Sequence, residues 1–185
     1  MAKHQVHWTF ILQWMLATAL ALTGAVALSA FGLVFGPIFL GLSQTWVLRR
    51  HLKRAALWLA VTVMGGWLAV GVGFYLAAIA TGARNGLFLL NALAAAVAGI
   101  ILGLAQWIVL RLHVRWAIVW IPASVLGLVF GASWVIGFGQ REAYLTSNYL
   151  TSIQWLAVGL LSGAMGGAIK GSVLLWLLRH PRTEH

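Results

Sequence analysis

The stretch GLSQTWVLRR, residues 41–50, ends a long apolar run and carries a pattern that returns later in the chain. A second stretch, GLAQWIVLRL, stands at residues 103–112, which is 62 residues further along. Each copy places a glutamine three residues after a glycine and an arginine five residues after that glutamine. Because fixed-period self-similarity is typical of repeat architectures, this pattern predicts a repeated structural unit.

The composition indicates an integral membrane protein. Of the 185 residues, 62% are hydrophobic and 8% are charged, whereas soluble domains carry about 25% charged residues. Twelve Lys and Arg face only two acids, Glu142 and Glu184. A basic chain can bind nucleic acid, but that requires a soluble basic face, and here the cations separate apolar runs. We therefore expect the lipid bilayer as a partner and no nucleic acid.

The lengths of the apolar runs predict six transmembrane helices in one domain, residues 1–185. A spanning helix needs about 20 apolar residues, so the run at 8–50 should hold two. We predict the turn between them near Gly32 and Gly36-Pro37, because glycine suits tight turns and proline suits helix starts. The predicted all-α bundle has helices at about 8–29, 33–49, 55–80, 87–111, 116–138 and 153–179.

A third copy of the glycine motif indicates three two-helix hairpins. Gly167-Ala168-Ile169-Lys170 repeats the spacing of the first two copies but ends in lysine. The odd-numbered helices carry their own repeat, in which a tryptophan precedes a threonine or serine by four residues, at Trp14, Trp58 and Trp120. The predicted hairpins cover about 1–52, 53–114 and 115–185. Glycines four residues apart, as at Gly99 and Gly103, should let helices approach closely.

Gln44, Gln106 and Lys170 form the candidate ligand-binding site. An amide that faces lipid is costly, so we expect both glutamines to turn inward and bond across helix contacts. Lys170 lies nine residues before Arg179, about 13 Å along a helix, and ionisable groups at such depth are functional suspects. The alternatives are structural: the motif is a packing clasp repeated three times, and Lys170 either pairs with a neighbour or snorkels, with its stem following the apolar surface toward the interface.

The distribution of cations predicts the orientation. With six passes, nine cations fall on one side, namely Lys3, Arg49, Arg50, Lys53, Arg54, Arg111, Arg115, Arg179 and Arg182. The other side receives only Arg84 and Arg141. The positive-inside rule then places both termini in the cytoplasm of a bacterium, with the chain in the inner membrane.

The remaining polar residues give two further predictions. The longest non-apolar segment, residues 139–152, is the expected contact for a partner through Glu142, Tyr144, Asn148 and Tyr149. The six histidines fall near cytoplasmic helix ends, so metal or pigment ligation by His51, His113 and His180 is an open alternative to a simple interfacial role. With no Asp and no acid inside a predicted helix, we predict no catalytic residues.

The paired segments GLSQTWVLRRHL and GLAQWIVLRLHV resemble a family of uncharacterised bacterial polytopic membrane proteins with repeated Gln-Trp-x-x-Leu-Arg hairpins, of the cyanobacterial and Chloroflexota type. The likeness is weaker in the third hairpin, and it implies no known activity. From the missing catalytic set we predict a non-catalytic subunit or scaffold of a larger membrane assembly, such as a respiratory or photosynthetic one. The alternative is a solute-binding or transport protein that uses Gln44, Gln106 and Lys170.

Overall fold

The computed structural model describes residues 8–28, 30–52, 54–80, 87–131 and 152–181, and within these ranges every regular element is a helix. One isolated antiparallel bridge pairs Val114 with Pro181. The prediction of an all-α chain is therefore confirmed for the described residues. The helices are α1 (Thr9–Ala27), α2 (Ala30–Leu48), α3 (Ala55–Ala80), α4 (Leu87–Leu110), α5 (Ala117–Gly131) and α6 (Ser152–Leu178).

Five of these helices, α1 to α4 and α6, are long and apolar enough to cross a membrane. The described part of α5 is apolar but shorter, and it opens with a 3₁₀ turn at Ala117–Val119. The predicted fifth helix continues over residues 132–138, which lie outside the described residues. The chain is thus a helical membrane protein with at least five candidate spans.

The predicted position of the first turn is wrong. Helix α2 begins at Ala30, and Pro37 lies inside it. Gly32 packs directly against the carbonyl oxygen of Ala25 in α1, and a Cβ atom on Gly36 would stand 3.1 Å from the Cβ of Ala25. These glycines therefore serve a close helix–helix contact rather than a chain reversal, a use that glycine's missing side chain equally permits.

The six helices form a closed ring in chain order, because each packs against its neighbours in sequence and α6 packs against α1. Close glycine contacts join neighbouring helices around the ring. They are Gly65 with Ala105 between α3 and α4, Gly99 with Val125 between α4 and α5, Gly127 with Gly166 between α5 and α6, and Gly163 with Ala19 between α6 and α1. A Cβ atom on Gly99 would stand 2.6 Å from the Cα of Val125, so the two backbones meet there. The predicted close approach at this glycine is confirmed.

Candidate functional site

Three tryptophans lie in the middle of the helix ring. Trp14, Trp58 and Trp120 stand near the starts of α1, α3 and α5, and each is 0% exposed. Every pair is in edge-to-face contact, with ring centroids 5.7 to 6.1 Å apart. Edge-to-face packing brings the positive edge of one indole to the negative face of the next, which favours this arrangement over a flat stack.

Two of the three indoles donate hydrogen bonds to buried glutamines. Trp58 Nε1 donates to Gln44 Oε1 at 3.2 Å, and Trp120 Nε1 donates to Gln106 Oε1 at 3.0 Å. The two amides also bond to each other, since Gln106 Nε2 donates to Gln44 Oε1 at 3.2 Å. The same nitrogen donates to Thr62 Oγ1 at 3.0 Å. The structure therefore brings the two predicted glutamines together in the interior.

Lys170 is buried inside the protein and does not follow the lipid-facing surface. It is 2% exposed, and the Cγ atom of its stem lies 3.1 Å from the Cβ position of Gly127 in α5. The described residues supply no carboxylate for its ammonium, because Glu142 and Glu184 lie outside them. The next residue, Gly171, contacts the Trp14 indole, with 3.0 Å between its Cβ position and Trp14 Cδ1. The Lys170 stem is thus buried against α5, next in sequence to a glycine that contacts Trp14, and a lipid-facing, snorkelling position does not describe it.

Several buried polar atoms of this region have no hydrogen-bond partner within the described ranges. They are Trp14 Nε1, Thr18 Oγ1, Gln44 Nε2 and Ser124 Oγ, with Thr45 Oγ1 and Ser162 Oγ elsewhere on the helices. We use the name interior cluster for Trp14, Trp58, Trp120, Gln44, Gln106, Lys170, Thr18, Thr62 and Ser124. Leaving a buried polar group unpaired costs about 1–3 kcal/mol, so these atoms are places where a ligand could add stability.

Trp14 differs from the other two indoles in the residue that the preceding helix carries at the matching position of the sequence motif. Trp58 and Trp120 each donate a hydrogen bond to a glutamine oxygen on the preceding helix of the ring, α2 for Trp58 and α4 for Trp120. The helix in the same position beside α1 is α6, and its copy of the motif carries Lys170. An ammonium has three donors and no acceptor, so it cannot accept the indole N–H.

Apolar and basic side chains surround the helix ends nearest the interior cluster. Four leucines that are 0% exposed lie there, Leu48, Leu110, Leu174 and Leu177. Outside them, arginines lie over tryptophan rings, with Arg111 Cζ 5.0 Å and Arg49 Cζ 5.6 Å from the ring centroids of Trp107 and Trp46. Such cation–π pairs are typical of an interfacial belt of aromatic and basic residues.

The histidines that left metal or pigment ligation open are held by local contacts. His113 Nδ1 bonds to the Val109 carbonyl at 3.0 Å, and His180 Nδ1 bonds to the Trp176 carbonyl at 2.9 Å. His51 packs edge-on against Phe10, with ring centroids 5.2 Å apart. In the described part of the chain, no three His, Cys, Asp or Glu side chains come together as a metal site.

The glutamine motif alone does not identify the partners of the glutamines. Trp58, Trp120 and Thr62 complete the hydrogen-bond network, and their signal in the sequence is the tryptophan repeat of the odd-numbered helices. The predicted partner contacts Glu142, Tyr144, Asn148 and Tyr149 lie outside the described residues.

These features define a class: a helical membrane protein with a ring of helices around a hydrogen-bonded polar centre. No protein-family model, no curated protein and no solved structure matches the chain. The resemblance to bacterial proteins with Gln-Trp-x-x-Leu-Arg hairpins therefore stays a prediction.

Proposed function

We propose that this chain is a non-catalytic membrane protein that binds a small solute at the interior cluster. The observation that carries the proposal is the set of buried polar atoms without partners on the inward-facing helix surfaces, namely Trp14 Nε1, Gln44 Nε2, Thr18 Oγ1 and Ser124 Oγ, together with the buried Lys170. Unpaired polar groups are costly inside a membrane protein, and an intramembrane ionisable residue often marks a binding or transport site. A solute with hydrogen-bond acceptors would satisfy these groups.

We also propose that the ring consists of three hairpins, at about 1–52, 53–114 and 115–185, with α5 completing a sixth span. Two observations support this: the tryptophan-to-glutamine hydrogen bond occurs twice with a sequence separation of 14 residues, and close glycine faces recur in α4 and α6. In this arrangement Lys170 takes the position that a glutamine holds in the other two hairpins.

For the orientation we propose a bacterial inner membrane with both termini in the cytoplasm, supported by the nine-to-two division of cations. A reporter enzyme fused after His185 should be active in the cytoplasm. A periplasmic signal from that fusion would contradict the proposed number of passes or the assigned side.

The solute proposal is tested by thermal unfolding of the purified chain with a panel of small anions and neutral amides. A solute present at 100 times its Kd should stabilise the folded protein by about 2.7 kcal/mol. The matched variants are Lys170→Gln, which supplies an acceptor inside the cluster, and Ser172→Ala, which alters an exposed position two residues away on α6. We expect the wild type and Ser172→Ala to respond to the same solute and Lys170→Gln to lose the response. Equal responses from all three chains, or none, would contradict the proposal.

The other function predicted from the sequence, a subunit or scaffold of a larger assembly, stays a prediction. Its expected contacts, Glu142, Tyr144, Asn148 and Tyr149, are outside the described residues. A partner that co-purifies with the chain from native membranes at fixed stoichiometry would support it, and a chain that is always isolated alone would count against it.

A further inference from the structure

Two of the unpaired nitrogens, Trp14 Nε1 and Gln44 Nε2, are hydrogen-bond donors that lack an acceptor. Trp14 Nε1 has no acceptor, although the equivalent nitrogens of Trp58 and Trp120 each bond a glutamine oxygen. Gln44 Nε2 also has none, although the equivalent nitrogen of Gln106 bonds an amide oxygen and a threonine hydroxyl. A glutamine at position 170 would bring an oxygen to this part of the ring, and Lys170 brings only donors.

The orientation of the Gln44 amide is fixed by its neighbours. Its oxygen receives hydrogen bonds from Trp58 Nε1 and from Gln106 Nε2. Exchanging the oxygen and nitrogen of this amide would set a donor against those two donors, so the hydrogen-bond network allows one assignment. The unpaired NH₂ group of Gln44 is therefore a property of the network.

Lys170 and the unpaired N–H groups of Trp14 and Gln44 are matched by no negative charge in the described residues. The sequence has two acids, Glu142 and Glu184, and both lie outside the described ranges. Trp14 and Gln44 are 0% exposed and Lys170 is 2% exposed, so water in bulk does not reach them. A buried ammonium is stabilised only by good hydrogen bonds and an opposite charge, and donors around a cation select anions.

We infer that the interior cluster binds a small monovalent anion, held by the Lys170 ammonium, the Trp14 indole N–H and the free amide N–H groups of Gln44. This inference rests on the proposed solute-binding function and names the chemical class of the solute. Because the surrounding indoles and leucines are fully buried, the anions chosen to test the inference are small, namely halide and formate. The same buried leucines, Leu48, Leu110 and Leu174, separate the cluster from the helix ends where lipid headgroups would lie, and this favours a free ion over a lipid phosphate.

The test is the thermal unfolding of the full chain at constant ionic strength, with chloride or formate replacing gluconate, a much larger anion that serves as the reference. We expect the melting temperature of the wild type to rise with chloride or formate and to saturate. Lys170→Gln should have a higher melting temperature in gluconate and no response to the small anions. The same measurement is repeated in vesicles with and without anionic lipid. The anionic lipid should not change how the melting temperature depends on the chloride or formate concentration.

A second variant keeps the inference testable if Lys170→Gln folds poorly. Trp14→Phe retains an aromatic ring and removes the N–H, and the loss of one hydrogen bond to a charged group should weaken anion affinity about tenfold. Trp116→Phe makes the same exchange at a position that is 48% exposed and should leave the affinity unchanged.

Each outcome separates the inference from the proposed function. Stabilisation by neutral amides but not by small anions would overturn the inference and leave solute binding standing. Anion stabilisation of equal size in the wild type and Lys170→Gln would reveal a general salt effect and overturn the inference. Stabilisation by anionic lipid alone would also overturn it, and no response to any solute would overturn both.

Discussion

Replacing Trp120 by alanine should lower the free energy of unfolding by about 3–5 kcal/mol, the range for removing a large aromatic side chain from a core. Trp120 is 0% exposed and contacts the rings of Trp58 and Trp14 at centroid distances of 5.7 and 6.1 Å. The substitution would open a cavity between the two remaining indoles. It would also remove the hydrogen bond from Trp120 Nε1 to Gln106 Oε1.

The measurement is reversible unfolding of the purified protein in mixed micelles, with the matched variant Trp116→Ala as control. Trp116 is also near the start of α5 but is 48% exposed. Its loss removes interfacial contacts without opening a core cavity, so we expect a change within about 0.5 kcal/mol, as for surface positions. Equal losses in the two variants would contradict a central role for the three tryptophans.

Replacing Gln106 by leucine should cost about 2–4 kcal/mol, because it leaves the buried Trp120 N–H without an acceptor and Thr62 Oγ1 without its donor, and each such group costs about 1–3 kcal/mol. Gln106 accepts the hydrogen bond of Trp120 and donates to Thr62 and to Gln44. Leucine has a similar volume, so the loss reports hydrogen bonding more than packing. The unfolding free energy in the same micelles measures it.

The matched control for this substitution is Gln13→Leu. Gln13 is an exposed glutamine of α1, so exchanging it for leucine orphans no buried donor. We expect no loss of stability there, and a small gain would be consistent with an apolar environment. If Gln106→Leu were as stable as Gln13→Leu, the hydrogen bonds of the interior cluster would contribute nothing measurable.

The helix bounds were largely predictable from the sequence, and the first turn was not. The predicted helix at 55–80 matches α3, because charged residues before it and a polar segment after it limit an apolar run of spanning length. Between α1 and α2 no charge marks the boundary, and the sequence predicts the turn at glycines that instead lie inside α2 and pack against α1. Glycine suits both a turn and a close helix contact, so local sequence could not separate them.

For the interior cluster, the sequence determined which side chains must leave the lipid, and the tertiary structure decided what they meet. An amide or an ammonium within an apolar helix has to face inward for reasons of solvation alone, which identified Gln44, Gln106 and Lys170. The bonds from Trp58 and Trp120 to the glutamines depend on which helices are neighbours in the ring. The burial of Lys170 against Gly127 depends on the approach of α5 to α6, a long-range contact that no single helix specifies.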